Sequence, residues 1–77
     1  MTIVAISFTS ESCDHYLSLF TDIKNSQDLV DRLKEEYLDE FAYLRIDSFV
    51  TDEVSVEVGL IKAVRDALDE AEGARDE

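Results

Sequence analysis

Apolar residues in this chain fall into five segments, whose spacing switches between the two-residue period of strands and the 3.6-residue period of helices. Residues Thr2 to Phe8, T-I-V-A-I-S-F, are rich in β-branched and aromatic side chains with almost no polar alternation. That pattern predicts an inner strand covered on both faces. Thr9 to Asp14 is polar and turn-like, and Tyr16 to Phe20 offers a second strand, antiparallel to the first because the link is short. A helix is predicted from Ser26 to Leu38. There Leu29, Val30, Leu33, Tyr37 and Leu38 make one stripe, while Asp28, Asp31, Arg32, Glu35 and Glu36 face away.

Phe41 to Val50 reads as a third strand, with Ala42, Leu44 and Ile46 alternating against Phe41, Tyr43 and Arg45. The next segment carries two patterns. Val54, Val56, Val58 and Leu60 alternate as in a strand, whereas Val54, Val58, Ile61, Val64 or Arg65, and Leu68 follow the helical period over a longer window. The longer pattern predicts a second helix, capped by Thr51 or Asp52, with Asp52 and Glu53 at its positive end and Gly73 as a stop after Ala71. Val54, Ser55, Val56 and Val58 are mediocre helix formers, so the first turns are also compatible with an extension of the third strand. Gly59 within a helix costs about 1 kcal/mol relative to Ala, which points to a close approach of helix and sheet there.

The corner between the second strand and the first helix, L-F-T-D-I-K-N-S-Q-D-L from Leu19 to Leu29, joins two kinds of structure in a few residues. Leu19, Phe20 and Ile23 are apolar, and Lys24 stands at the exit. Asn25 or Ser26 can cap the helix by accepting a free backbone N–H, and Asp28 falls in the first turn, where the helix dipole favours negative charge. The order of elements is therefore β-β-α-β-α. It describes a single α/β (α+β) domain over residues 1–71, a three-stranded, mostly antiparallel sheet with two helices packed on it. Residues 72–77 form a charged tail expected to be disordered.

Length and charge narrow the function. At 77 residues there is room for one domain, which buries only about 60% of the surface its unfolded chain exposes. Seven Lys and Arg stand against nineteen Asp and Glu, a net charge of −12. Such a field repels nucleic acid, whose affinity for proteins comes largely from Lys and Arg displacing counterions. Strongly solvated faces or a high-salt habitat would equally account for it. No apolar run reaches membrane length, and Ile3 to Ile6 lacks the basic flank and length of a signal peptide. The single cysteine, Cys13, makes no internal disulfide, so cytoplasmic and nuclear residence is the expectation.

Catalytic chemistry is thinly represented. Cys13 and His15 would share one face of a strand as a nucleophile and base, but no third group or oxyanion donor accompanies them. Zinc would need more soft ligands than these two, and Asp66, Asp69 and Glu70 belong to no calcium loop and read as a solvated helix face. Gly59 and Gly73 are too far apart for a phosphate loop. Phe41 and Tyr43 have only Arg45 nearby as a cation, which suits core or partner packing better than base stacking. The expectation is a chain that is not an enzyme and has no catalytic residue, cofactor, metal or small-molecule substrate.

Three segments carry a family resemblance. Leu19, Phe20, Asp22, Ile23, Lys24, Asn25 and Leu29 fit a pattern of strand, Ile-Lys-Asn or Val-Lys-Asn corner and helix. Phe41, Ala42, Tyr43, Leu44, Ile46 and Asp47 look like a strand of F-x-Y-A-x-I-D type, and Ile61, Lys62, Ala63 and Val64 look like a helix ending in Lys-Ala-Val. In this order they resemble the kinase-binding accessory subunit of the KEOPS (EKC) complex, the PRPK-binding protein family, over its N-terminal half. The family's downstream Leu-Ser-Pro and Asn-Ile segment is not in this chain, and Asp52-Glu53 stands where a Ser-Arg-like pair is common. The resemblance implies a non-catalytic subunit that binds the complex's atypical kinase and supports threonylcarbamoyladenosine modification of tRNA. Kinase engagement is the better-supported half, because −12 is unfavourable for holding tRNA except weakly or through the complex. Lys24 and Asn25 read mainly as corner and cap. The alternative is a free-standing acidic adaptor or nucleic-acid mimic that binds a basic partner.

Overall fold

The computed structural model describes residues 2–74 and has the predicted β-β-α-β-α order. Strands β1 (Val4–Ser10), β2 (His15–Phe20) and β3 (Leu44–Thr51) form an antiparallel sheet in the order β2-β1-β3. Helices α1 (Ser26–Tyr37) and α2 (Val54–Gly73) lie together on one face of it. The chain is thus a small α+β domain with β1 as the inner strand.

Alternation decides what each strand buries. Val4, Ile6 and Phe8 of β1 are fully buried under the helices, and Leu44 and Phe49 of β3 are nearly so. Leu29 and Leu33 of α1 and Leu60, Val64 and Leu68 of α2 meet them from above, and Ile23 and Phe41 close the ends. Tyr37 sets its ring edge against Phe8, with centroids 5.4 Å apart. One polar side chain enters this layer. Ser18 of β2 gives its hydroxyl proton to Glu36 and accepts one from Tyr37, so the buried oxygen is satisfied on both sides. Burial raises the Tyr37 phenol above its usual value, and a hydrogen bond to Glu40 raises that of Tyr16.

Several sequence expectations are corrected. β1 starts at Val4, not Thr2, and it is covered on one face only: Ala5, Ser7 and Thr9 stay half-exposed on the other. Phe41 to Tyr43 belong to a 3-10 helix, Leu38–Tyr43, and β3 begins after it. Leu38 leaves the helical stripe, taking φ 50° as the chain turns away and ending 72% exposed. Val64 and Leu68 are buried as expected and Ile61 packs against the core, but Val54 and Val58 are exposed and Leu60 turns inward in their place. Gly59 faces open space, so no close approach to the sheet explains it.

The start of α2 differs as well. Glu53 holds the N-cap position without a side-chain cap. Thr51 Oγ1 accepts from the Glu53 N–H at 3.3 Å, and Asp52 Oδ1 accepts from the Ile3 N–H at 2.8 Å, so Asp52 ties the end of β3 to the chain start. α2 runs through Glu72 and Gly73, two positions expected in the tail; residues 75–77 lie outside the described residues.

Candidate functional site at the corner cleft and the open sheet face

The sequence-selected residues separate into three places. Ile23, Lys24 and Asn25 make the corner, where the chain leaves β2 through Asp22 at φ 57° and enters α1. Asn25 is extended and its Oδ1 accepts the Asp28 N–H at 2.8 Å, while Asp28 accepts the Lys24 N–H at 3.1 Å. These two bonds form a reciprocal cap, the device that ends a helix without leaving donors bare. The Lys24 N–H and the Arg32 guanidinium hold the Asp28 carboxyl below the usual carboxylate value. Arg32 also donates to the Thr21 carbonyl at 2.6 Å, pinning the corner to the first turns of α1. Ile23 is buried beneath, and Leu29 anchors the helix in the core.

α2 approaches this corner with Ser55, Val56, Gly59 and Leu60, leaving a cleft of about 260 Å³. Lys24 is its cation, and the rest of the wall is apolar or neutral. A larger hollow of about 500 Å³ lies at the other end of the domain, between the start of β3 and the second half of α2. Arg45 and Arg65 share it with Glu11, Asp69 and Glu72, so neither sign dominates.

Leu19 and Asp47 belong to the opposite surface, the sheet face that no helix covers. Leu17 and Leu19 of β2 and Val50 of β3 are 75%, 67% and 62% exposed there. A bulge near Asp47, opposite the Ser7–Phe8 step of β1, lets both Ile46 and Phe49 point into the core although they stand three positions apart. Asp47 accepts a hydrogen bond from Thr9 Oγ1, and His15 Nδ1 lies 3.1 Å from that same oxygen. With the Thr9 proton committed to Asp47, His15 is the donor, and the three side chains link β2, β1 and β3.

The remaining residues are structural. Phe20 and Ile46 pack against the core, Lys62 pairs with Asp66 one turn along α2 at 2.8 Å, and Ala63 sits beside Val30 and Ala67 where the helices meet. Cys13 is in the hairpin turn at φ 68°, exposed and off the strand, so the strand-face pairing with His15 does not form. Among the described residues, no group of His, Cys, Asp and Glu is placed to hold a metal, and no helix is long and apolar enough to cross a membrane. Sequence reasoning picked Leu19 for its place in a motif and missed Leu17, Val50 and Ala5 beside it. Their signal was the same alternation that marks the core, read from its other phase. Comparison with models of known families, with curated proteins and with solved structures finds no match to this chain.

Proposed function

We propose that this chain is a non-catalytic accessory subunit of a KEOPS-type complex, which binds the complex's atypical kinase and supports threonylcarbamoyladenosine formation on tRNA in the cytoplasm and nucleus. The observation that carries a binding role is the apolar surface left open on so small and acidic a domain, with Leu17, Leu19 and Val50 presented to solvent together. Exposed apolar surface concentrated in one place marks contact with another molecule. The partner is suggested by the ordered resemblance of Leu19 to Leu29, Phe41 to Asp47 and Ile61 to Val64. In this reading tRNA is met through the assembly, because a chain of −12 holds a polyanion poorly.

That charge also favours a second reading, an acidic adaptor or nucleic-acid mimic held to a basic partner mainly by its field. Calorimetry with the kinase alone, and with the complete assembly, in about 0.1 M and about 1 M salt separates the two, since the screening length falls from roughly 10 Å to 3 Å. The subunit reading expects binding at micromolar concentration or tighter that survives high salt. Binding that vanishes in high salt supports the adaptor, and no binding to either preparation removes the kinase reading.

A further inference from the structure

We infer that the open face of the sheet is a cradle for one amphipathic helix of a partner protein, with an apolar stripe along the helix and Lys or Arg at both ends. The inference goes beyond the proposed complex, because it names a shape and a charge pattern that hold whichever protein supplies the helix.

The cradle follows from strand register. Leu19, Ala5 and Val50 stand in one row across β2, β1 and β3, and Leu17, Ser7 and Ser48 stand in the next. The central strand contributes small side chains, β2 contributes Leu17 and Leu19, and β3 contributes Val50 beside Ser48. Strands are spaced so that Leu19 and Val50 lie about 10 Å apart across Ala5. That is the width of a helix with its side chains. Seven residues of β1 span about 23 Å, which matches a helix of about 15 residues.

The floor can be dried at little cost. Ser7 and Ser48 bond their hydroxyls to each other at 2.6 Å, and Thr9 is occupied by Asp47 and His15. A polar group already paired within the protein loses less on burial than one taken from water alone. Both ends of the trough are acidic: Asp14 and Asp47 stand at the hairpin end, with Arg45 as the cation among them, and Asp22 and Asp52 stand at the other. Complementary charges at the ends of the guest would fix its position and select it. A second copy does not qualify. Its helices expose Asp31, Glu35 and Glu36 on α1 and Asp66, Asp69 and Glu70 on α2, and the apolar residues they leave exposed, Val54, Val56 and Val58, form a run at the start of α2 too short to fill the trough. Stacking two open faces would bring the acidic ends together in a pair carrying twice the −12 charge.

The test uses the full chain and a labelled synthetic helical peptide of about 15 residues, with Leu and Ala on one stripe and Lys at both ends. Fluorescence anisotropy gives the affinity, and backbone NMR shifts locate the contact. Saturable binding is expected, with shifts at Ala5, Ser7, Leu17, Leu19, Ser48 and Val50. The same peptide with Glu at its ends should bind at least about tenfold more weakly, as should the Leu19→Glu and Val50→Glu chains, each first shown folded by circular dichroism. Equal affinity for both peptides, shifts confined to the helices, unaltered binding by the two folded variants, or a homodimer in sedimentation that occupies this face would each overturn the cradle. A chain that binds the kinase but not the Lys-ended peptide would overturn the cradle alone.

Discussion

The two faces of the sheet are made by the same three strands and held by the same hydrogen bonds, yet they have opposite fates. On the covered face, Val4, Ile6 and Phe8 are wholly buried and meet the stripes of both helices. On the open face, Ala5, Ser7 and Thr9 alternate with them one residue out of phase, flanked by Leu17, Leu19 and Val50. The covered face has large β-branched and aromatic side chains at its centre and a single buried hydroxyl, Ser18, with both of its partners supplied. The open face reverses that arrangement, with small and hydroxylated residues in the middle and its large apolar residues, Leu17, Leu19 and Val50, at the edges. Stability resides in the first pattern; the second leaves apolar side chains in water. Substitutions that act on one face and spare the other test this division.

The largest effect belongs to the covered face. Phe8→Ala removes a ring from the centre of the core, where it touches Tyr37, and should cost about 3–5 kcal/mol. A domain of this length has roughly 4–12 kcal/mol in total, so a urea melt should show most of its stability gone. A melt that moved little would mean the core is not centred on β1.

At the corner, Asn25→Ala should cost about 1 kcal/mol in the same melt, through the lost cap on the Asp28 N–H. Its neighbour adds a pH dependence. The folded Asp28 carboxyl lies below its unfolded value, so its contribution is complete above roughly pH 4 and fades as pH falls through the lower folded value. Asp28→Asn should therefore destabilise the domain at neutral pH. The gap between variant and native chains should close in acid; a gap independent of pH would assign Asp28 no ionic role.

These elements differ in how readable they were. Element order, the inner position of β1 and the cap at Asn25 follow from local pattern, since alternation, short links and capping chemistry need only neighbouring residues. The misplacements have a tertiary cause. Val54 and Val58 match the helical period with Val64 and Leu68, but packing of α2 against α1 and β3 keeps only the latter two and adds Leu60. Leu38 fits the stripe of α1 by count and is turned out by the backbone reversal into the 3-10 segment. The continuous apolar run of β1 suggested cover on both sides, whereas among the described residues both long helices pack on one face. For the candidate site, the corner was visible as a motif, whereas the row Leu19, Ala5 and Val50 joins residues far apart in the chain and exists only through register.

Gly59 gives a smaller effect of opposite sign. A Cβ there meets nothing within 4 Å, and the residue is helical, so Gly59→Ala should stabilise the domain by about 0.5–1 kcal/mol and raise its melting temperature. A loss of stability would reveal a steric demand at the corner cleft, which Gly59 lines.

The smallest effect falls on the open face and bears most directly on the division between the two. Leu17 points away from the helices and is 75% exposed, so Leu17→Ser removes apolar area that folding leaves largely in water. The change in stability should stay within about 0.5 kcal/mol, the range of surface substitutions. A β-branched or large apolar residue does favour a strand, so a small loss by propensity alone falls inside that range. Solubility should improve, because the apolar row beside the exposed edge strand β2 is shortened. The measurement is a paired one, a urea melt for stability and light scattering at rising concentration for association. A loss of several kcal/mol would mean that Leu17 is covered in the folded state, and the contrast between a packed face and an open face would fail at the open face's most exposed apolar residue.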